Sequence, residues 1–253
     1  MRILVTNDDG IQAPGLLALA HEMRQLGDVT VLAPDRNWSA SGHVKTMERP
    51  LRVREARLAD GSLAYMSDGA PSDCVALAIL GVLDEKYELV VSGINPNANI
   101  GHDVTYSGTV TAAIEAVICG VPGIAVSLNS PPEHAELDYG PAARAAGRVA
   151  QKILQQPLPQ GVLLNVNVPY VSEDAFKGYM ITRQGLRVYR DALVRRQDPR
   201  GRPYYWIGGD SPTGIPEDGT DVGALAAGYV SLTPLQLDLT ARAALDPLRQ
   251  VDW

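Results

Sequence analysis

Two adjacent carboxylates, Asp8 and Asp9, follow a short apolar run near the start of the chain. The run Ile3-Leu4-Val5 is rich in β-branched residues and does not alternate with polar ones, which predicts a strand buried on both faces. Two carboxylates at the end of such a strand are costly unless a cation or strong hydrogen-bond donors compensate them. Oxygen ligands of this kind suit Mg²⁺ or Mn²⁺. A simple turn is the alternative, because turns also use Asn, Asp and Gly.

Two polar loops follow the next predicted strands. In the first, the hydroxyl of Ser39 or Ser41 could reach the same sheet edge as the paired acids. The second loop holds Asn95, Asn97 and Asn99, whose amide oxygens are neutral ligands. Beside two carboxylates, neutral ligands would leave a bound cation with positive charge for a phosphoryl oxygen. Ordinary loop chemistry also explains Ser, Asn and Gly at these places.

A third polar segment, Ser107-Gly108-Thr109, comes directly before an alanine-rich stretch with helical spacing. Free backbone N–H groups and the helix dipole at such a position can bind an anion. An ordinary N-cap is the alternative, since Ser and Thr are preferred there.

Alternating strand and helix patterns predict a doubly wound, mostly parallel, Rossmann-like α/β sheet over residues 1–168. In such sheets, ligands bind outside the carboxyl ends of the strands, where the polar segments described above lie. The predicted strands are Ile3–Val5, Val29–Leu32, Leu89–Val91, Ile124–Val126 and Val162–Val168. The predicted helices are Pro14–Leu26, Ser72–Leu83, Thr109–Cys119 and Pro141–Gln155.

Beyond residue 168 the composition shifts toward Gly, Pro, Arg and Tyr. The segments Tyr179–Arg183 and Tyr204–Ile207 are interpreted as the two arms of an extended hairpin. We expect residues 169–253 to form an appendage that is used in oligomerisation. For the arginines of this region, a solvated or subunit-contacting arm is favoured over a role in attracting anionic substrate. These are Arg183, Arg187, Arg190, Arg195, Arg196, Arg200 and Arg202.

The composition and charge of the chain argue against several classes of protein. The 253-residue chain has a formal net charge of −7, which disfavours binding to polymeric nucleic acid. Its longest candidate membrane stretch, Cys74–Leu83, is far shorter than a spanning helix requires. Only two cysteines occur, without CxxC spacing, so we expect neither a disulfide framework nor a thiolate zinc site. These features, with no secretory leader expected, predict a cytoplasmic protein without a membrane partner.

Several blocks of the chain, in order, resemble the SurE-type survival proteins, a family of metal-dependent 5′-nucleotidases. The resemblance extends over essentially the whole length. The blocks are Ile3 to Gly10, Ala33 to Ser39, Pro71 to Val75, Ser92 to Asn95, Tyr106 to Val110, Asp198 to Gly201, Gly219 to Asp221 and Ser231 to Leu235.

The resemblance implies a divalent cation, Mg or Mn, with four ligands: Asp8, Asp9, Ser39 and Asn95. It also implies that Asn99 and the turn Ser107-Gly108-Thr109 hold the phosphate. Homodimers or homotetramers are implied as well, with the C-terminal hairpin exchanged between subunits.

We therefore hypothesise that the chain hydrolyses nucleoside 5′-monophosphates with a metal-activated water, and that Asp8 and Asp9 are catalytic. Asp9 is the preferred candidate for orienting or deprotonating the nucleophile. The resemblance extends the substrates to 3′-nucleotides and short polyphosphate. The alternative is a non-catalytic, Mg-dependent phosphate-sensing or signalling module, which also carries paired acids after a first strand. A nicotinamide-dependent oxidoreductase is disfavoured because the first turn lacks G-x-G-x-x-G.

Overall fold

A computed structural model of the chain describes residues 1–131 and 136–253. The strands are β1 Arg2–Thr6, β2 Asp28–Pro34, β3 Val53–Arg57, β4 Leu63–Ser67, β5 Leu89–Asn95, β6 Gly123–Asn129, β7 Val162–Pro169, β8 Tyr179–Ile181, β9 Arg187–Gln197, β10 Pro203–Gly214 and β11 Val230–Gln236. The α-helices are α1 Pro14–Met23, α2 Pro71–Ile79, α3 Gly108–Ile118, α4 Gly140–Gln155, α5 Asp221–Ala226 and α6 Arg242–Arg249. Two short 3-10 helices span Gly101–Thr105 and Glu173–Ala175.

Nine of these strands form one sheet in the order β3-β4-β2-β1-β5-β6-β7-β11-β8. Strands β4, β2, β1, β5, β6 and β7 run parallel, while β3 and β11 are antiparallel to their neighbours β4 and β7. The strand order reverses at β1, which lies between β2 and β5. The predicted doubly wound, mostly parallel sheet is confirmed, and the reversal places a ligand-binding crevice at the carboxyl ends of β1 and β5.

Successive residues of β1 pack into different halves of the core, as the two-residue period of a strand requires. Ile3 and Val5 belong to a cluster with residues of α1 and α4, whereas Leu4 packs in a second cluster with residues of α2 and α3. All three side chains are fully buried. The strand is therefore held from both faces, which explains its continuous apolar sequence and makes its end a rigid support for the residues that follow.

The predicted arms of the hairpin were partly wrong. Tyr179–Arg183 does not form an arm, because β8 lies at the edge of the main sheet and pairs in parallel with β11. The second predicted arm, Tyr204–Ile207, lies in β10, which pairs antiparallel with β9 in a separate two-stranded sheet. Strand pairing is determined by contacts between residues that lie far apart in the sequence. The local composition holds no information about these contacts.

The main sheet continues beyond residue 168, where the boundary between core and appendage was expected. Strand β11 pairs antiparallel with β7, and α5 packs against both of them. In the part of the chain that the structure describes, only β9 and β10 form a sheet of their own. The projecting part of the 169–253 segment is therefore the hairpin β9–β10, which leaves the sheet after β8 and returns to it through α5. Among the helices of the two described ranges, none is long and apolar enough to cross a membrane.

Candidate metal and phosphate site

The turn after β1 is closed by Asn7, whose side chain forms two hydrogen bonds with the backbone of Gly10. Its Oδ1 accepts from the Gly10 amide at 3.2 Å, and its Nδ2 donates to the Gly10 carbonyl at 3.0 Å. Gly10 has a φ of +100°, and a Cβ there would lie 3.1 Å from the backbone of Arg36. Glycine is therefore required at this position. The closed turn presents Asp8 and Asp9 at the carboxyl edge of the sheet.

Asp8 is almost completely buried beneath the N-terminus of α3. Its Oδ1 accepts a hydrogen bond from the Thr109 hydroxyl. A Cβ on Gly108 would lie 2.7 Å from the Asp8 Cβ, so only glycine permits this approach of helix to acid. Burial raises the pKa of Asp8, and the hydrogen bonds from Thr109 and the Gly108 amide oppose that rise without cancelling it.

Asp9 is half-buried, and its carboxylate is linked to the Ser39 loop through Asn37. Asn37 Nδ2 lies 3.4 Å from Asp9 Oδ1, and Asn37 Oδ1 accepts from the Ser39 amide at 2.7 Å. The Trp38 amide also donates to the Asp8 carbonyl at 2.7 Å. Burial and, second, the charge of Asp8 raise the pKa of Asp9 to about 7. Protein groups alone therefore leave these two carboxylates undercompensated, which is the condition that a cation would relieve.

Asn95 ends β5, beside β1 in the sheet. A cis peptide bond joins Gly93 and Ile94 just before it. The Asn95 Nδ2 donates to the Asn97 carbonyl, which leaves the amide oxygen Oδ1 as an available ligand. The structure thus brings Asp8, Ser39 and Asn95 to one edge, although they come from the ends of three different strands.

Asn99 is held by hydrogen bonds from two neighbouring strands. Its amide donates to Asn167 Oδ1 at 2.8 Å, and its carbonyl accepts from the side chains of Asn165 and Asn167 at 2.8 and 3.0 Å. Its own Nδ2 donates to the Ser127 hydroxyl at 2.8 Å. The backbone of this loop residue is thereby fixed on β7, and its side chain on β6.

The predicted phosphate-binding turn lies at the N-terminus of α3, and its residues have two different roles. The Ser107 hydroxyl caps the helix by accepting from the Val110 amide at 3.1 Å, and Ser107 lines the cleft described below. Gly108 and Thr109 instead contact the buried Asp8 carboxylate. The helix terminus therefore orients an acid at the same time as it borders the cleft.

An open cleft of about 450 Å³ lies at this edge of the sheet. This volume is within the range of small-molecule sites. Its lining includes five of the predicted residues, namely Asp8, Ser39, Asn95, Asn99 and Ser107. Within the described residues, Asp9, Gly108 and Thr109 do not line it. Gly108 and Thr109 contact Asp8, and Asp9 is linked to the Ser39 backbone through Asn37.

Other lining residues were not identified as site residues from the sequence. Asp103 lies in the 3-10 helix Gly101–Thr105, and Arg187 is the first residue of β9. Arg187 belongs to the arginine-rich stretch, but the sequence contains no signal that distinguishes it from the other arginines there. Its proximity to the cleft depends on where the hairpin leaves the sheet.

The set Asp8, Asp9, Ser39 and Asn95 consists of oxygen donors only, which suits hard cations such as Mg²⁺ and Mn²⁺. In the described part of the chain, no group of three or more His, Cys, Asp or Glu side chains is arranged to hold a metal. The predicted set, with two carboxylates and two neutral oxygens, stays a prediction.

The chain is similar to known proteins over its whole length. The model of the family described as survival protein SurE matches residues 3–191. The 5′-nucleotidase SurE of Chloroflexus aggregans is 53% identical over 253 residues, covering 100% of both chains. That of Herpetosiphon aurantiacus is 55% identical, covering 100% of this chain and 99% of the relative. The crystal structure of the SurE protein from Aquifex aeolicus has 38% identity and a TM-score of 0.82, with 98% of each chain covered. The chain belongs to the SurE family.

Proposed function

We propose that this protein is a 5′-nucleotidase, which hydrolyses nucleoside 5′-monophosphates in the cleft with a divalent cation held by Asp8, Asp9, Ser39 and Asn95. The reaction class is supported by full-length relatives at 53% and 55% identity that bear the name 5′-nucleotidase. One observation carries the assignment of the site: a buried acid, Asp8, lies in a ligand-sized cleft next to a second acid, with no basic side chain placed against either in the described hydrogen bonds and ion pairs.

The proposed cation would supply charge neutralisation at a phosphoryl oxygen and would lower the pKa of a water. The residues of the chain supply orientation. Thr109 fixes the rotamer of Asp8, while Asn37 holds Asp9 and the Ser39 backbone in one arrangement. Such fixed partners of ligands commonly matter for metal affinity, because they reduce the reorganisation that binding requires.

Asn99 and Ser107 also line the cleft, and their side-chain amide and hydroxyl would donate to the remaining phosphoryl oxygens. Gly108 and Thr109 would act through Asp8, because the first N–H groups of α3 hydrogen-bond to that carboxylate. We propose Asp9 as the group that orients or deprotonates the attacking water, since its carboxylate follows Asp8 directly and Asn37 links it to the Ser39 loop.

An Asp8→Asn variant tests the assignment. We expect turnover of adenosine 5′-monophosphate to fall by more than about a hundredfold, beyond the usual cost of losing an outer-shell partner of a metal ligand. The matched control is Asp28→Asn, because Asp28 is exposed at the opposite end of β2. Phosphate release is measured with and without EDTA, followed by addition of Mg²⁺ or Mn²⁺. Undiminished release by Asp8→Asn, or release that EDTA does not affect, would refute the proposed site.

The same assay separates an enzyme from the alternative, a phosphate-sensing module. An enzyme releases many equivalents of phosphate per chain, whereas a sensor binds one equivalent and stops. We extend the proposed substrates to 3′-nucleotides and short polyphosphate, which the assay includes as separate substrates.

We also propose that the protein forms a homodimer or homotetramer by exchanging the hairpin β9–β10 between subunits. Several large apolar side chains of this hairpin are exposed, including Leu193 at 70% and Ile207 at 83%. An exposed cluster of this kind is typical of an interaction surface. A cytoplasmic location is supported by Cys74 and Cys119, which are both free thiols.

A further inference from the structure

The root of the hairpin forms one wall of the cleft. Arg187, the first residue of β9, and Pro212 of β10 both line it, together with Asp103 and Tyr106 that precede α3. These residues lie outside the proposed set of metal and phosphate ligands. A nucleotide whose phosphate is bound at Asp8 and Ser107 must direct its nucleoside toward the rest of the cleft. The residues of this wall would therefore contact the nucleoside.

The wall is fixed before any ligand binds. Asp103 accepts hydrogen bonds from Arg187 Nε at 2.7 Å and from the Tyr189 hydroxyl at 2.6 Å. A second Arg187 nitrogen donates to the Pro212 carbonyl at 3.2 Å. The side chains of Arg187 and Asp103 are 15% and 18% exposed, and both residues line the cleft. A preorganised group of this kind loses little conformational entropy when a ligand binds.

The charge of Arg187 argues against a role in binding phosphate. Asp103 neutralises it at hydrogen-bond distance, and an ion pair exerts little net force on a third charge further away. What the residue retains is a flat guanidinium surface. Tyr106, a residue that is 60% exposed, adds an aromatic ring. Planar guanidinium groups and aromatic rings are the surfaces on which nucleobases stack.

We propose that Arg187 and Tyr106 form the nucleoside subsite of the cleft, with the purine or pyrimidine base stacked on one or both. The choice of ligand rests on the proposed nucleotidase activity. The proposal makes the hairpin a contributor to substrate specificity as well as a candidate subunit contact.

The first test is binding of adenosine, which has no phosphate, measured by calorimetry in EDTA. We expect the wild-type protein to bind adenosine and the Arg187→Lys and Tyr106→Leu variants to bind it roughly tenfold more weakly, as expected for loss of one stacking partner. Lysine preserves the charge opposite Asp103, so the ion pair is maintained. The matched control is Arg183→Gln, since Arg183 forms an exposed pair with Glu217 near the same root and does not line the cleft. Failure of the wild type to bind adenosine, or unchanged binding by both variants, would overturn the subsite.

The second test compares two phosphate esters in the presence of Mn²⁺. For adenosine 5′-monophosphate we expect kcat/KM to fall about tenfold in each variant, whereas for glycerol 3-phosphate it changes by less than about twofold. Equal losses on both esters would assign these residues to the phosphate or to folding and would overturn the subsite. If wild-type protein binds adenosine as expected but releases no phosphate from either ester, the subsite stands and the proposed nucleotidase activity fails.

Discussion

At the scale of single residues, the paired acids should make the metal-free protein sensitive to pH. The pKa of Asp9 is raised from 3.8 to about 7 in the folded chain. Between these two pH values, Asp9 binds more protons in the folded state than in the unfolded state. The contribution of Asp9 to the free energy of unfolding is therefore fully present below about pH 4 and is lost as the pH rises through 7.

In EDTA, the melting temperature of the wild type should therefore fall relative to that of Asp9→Asn as pH rises from about 4 to about 7. Thermal denaturation of both proteins across this range measures the difference, and adding Mn²⁺ should raise the wild-type curve at neutral pH. Parallel curves in EDTA would show that Asp9 is not undercompensated.

The two asparagines that hold Asn99 should differ in importance. Both are fully buried on β7. Asn167 makes two hydrogen bonds to Asn99, one with its backbone amide and one with its carbonyl. Asn165 makes one hydrogen bond, to the same carbonyl. Asn167→Ala should lower the free energy of unfolding by about 1 kcal/mol more than Asn165→Ala. Urea denaturation measures both, and each variant is the control for the other. Equal losses would mean that the cavity, rather than the hydrogen bonds, determines the cost.

The positions of several site residues could be predicted because strand ends share one edge. Asp8 and Asn95 each follow a buried apolar run, and Ser107 precedes an obvious helix, so local patterns located all three. The partners of these residues could not be predicted in this way. Whether the Thr109 hydroxyl faces a phosphate or Asp8 depends on the packing of α3 against β1, a contact between positions 101 residues apart.

At the scale of elements, one buried carboxylate joins three segments. Asp221, at the start of α5, accepts from the Gly101 amide at 2.8 Å and from the Gly185 amide at 2.7 Å. It is fully buried. The 3-10 helix beside the cleft and the root of the hairpin are therefore connected through the first turn of α5.

Asp221→Asn should destabilise the chain by about 3 kcal/mol, because an amide NH₂ would face a backbone donor and leave it unsatisfied. Urea denaturation measures the loss, and hydrogen exchange at Gly101 and Gly185 should accelerate. Asp218→Asn is the control, since Asp218 is exposed three residues earlier. Unchanged exchange at both glycines would contradict the proposed connection.

Elements with strong local periodicity were predicted correctly in type, whereas those defined by distant partners were not. The apolar strands β1, β5 and β7 are each buried on both sides, and their composition alone indicates this. Strand β8 has only three residues and is a strand because β11 lies beside it. No local pattern distinguishes such a segment from the arm of a hairpin.

At the scale of the whole molecule, the hairpin tests the proposed assembly. Leu193 and Ile207 are directly opposite each other in the β9–β10 register. The double variant Leu193→Lys/Ile207→Glu replaces this apolar pair by opposite charges, which favour cross-strand pairing while removing the apolar surface. We expect a monomer by analytical ultracentrifugation. Val171→Lys is the control, because Val171 is exposed away from the hairpin. A monomeric wild type, or a variant that still assembles, would contradict hairpin exchange.

The insertion of β11 between β7 and β8 has a consequence for biosynthesis. A chain emerging from the ribosome exposes the acids of the first turn early, and the strands up to β7 can pair as they appear. The wall that holds Arg187, and Asp221 that anchors it, cannot be secured until β11 has left the exit tunnel and joined β7. The wall that holds Arg187 is thus completed only after β11 has joined the sheet, so chains that stall before Val230 would carry the acids of the first turn without a finished pocket around them.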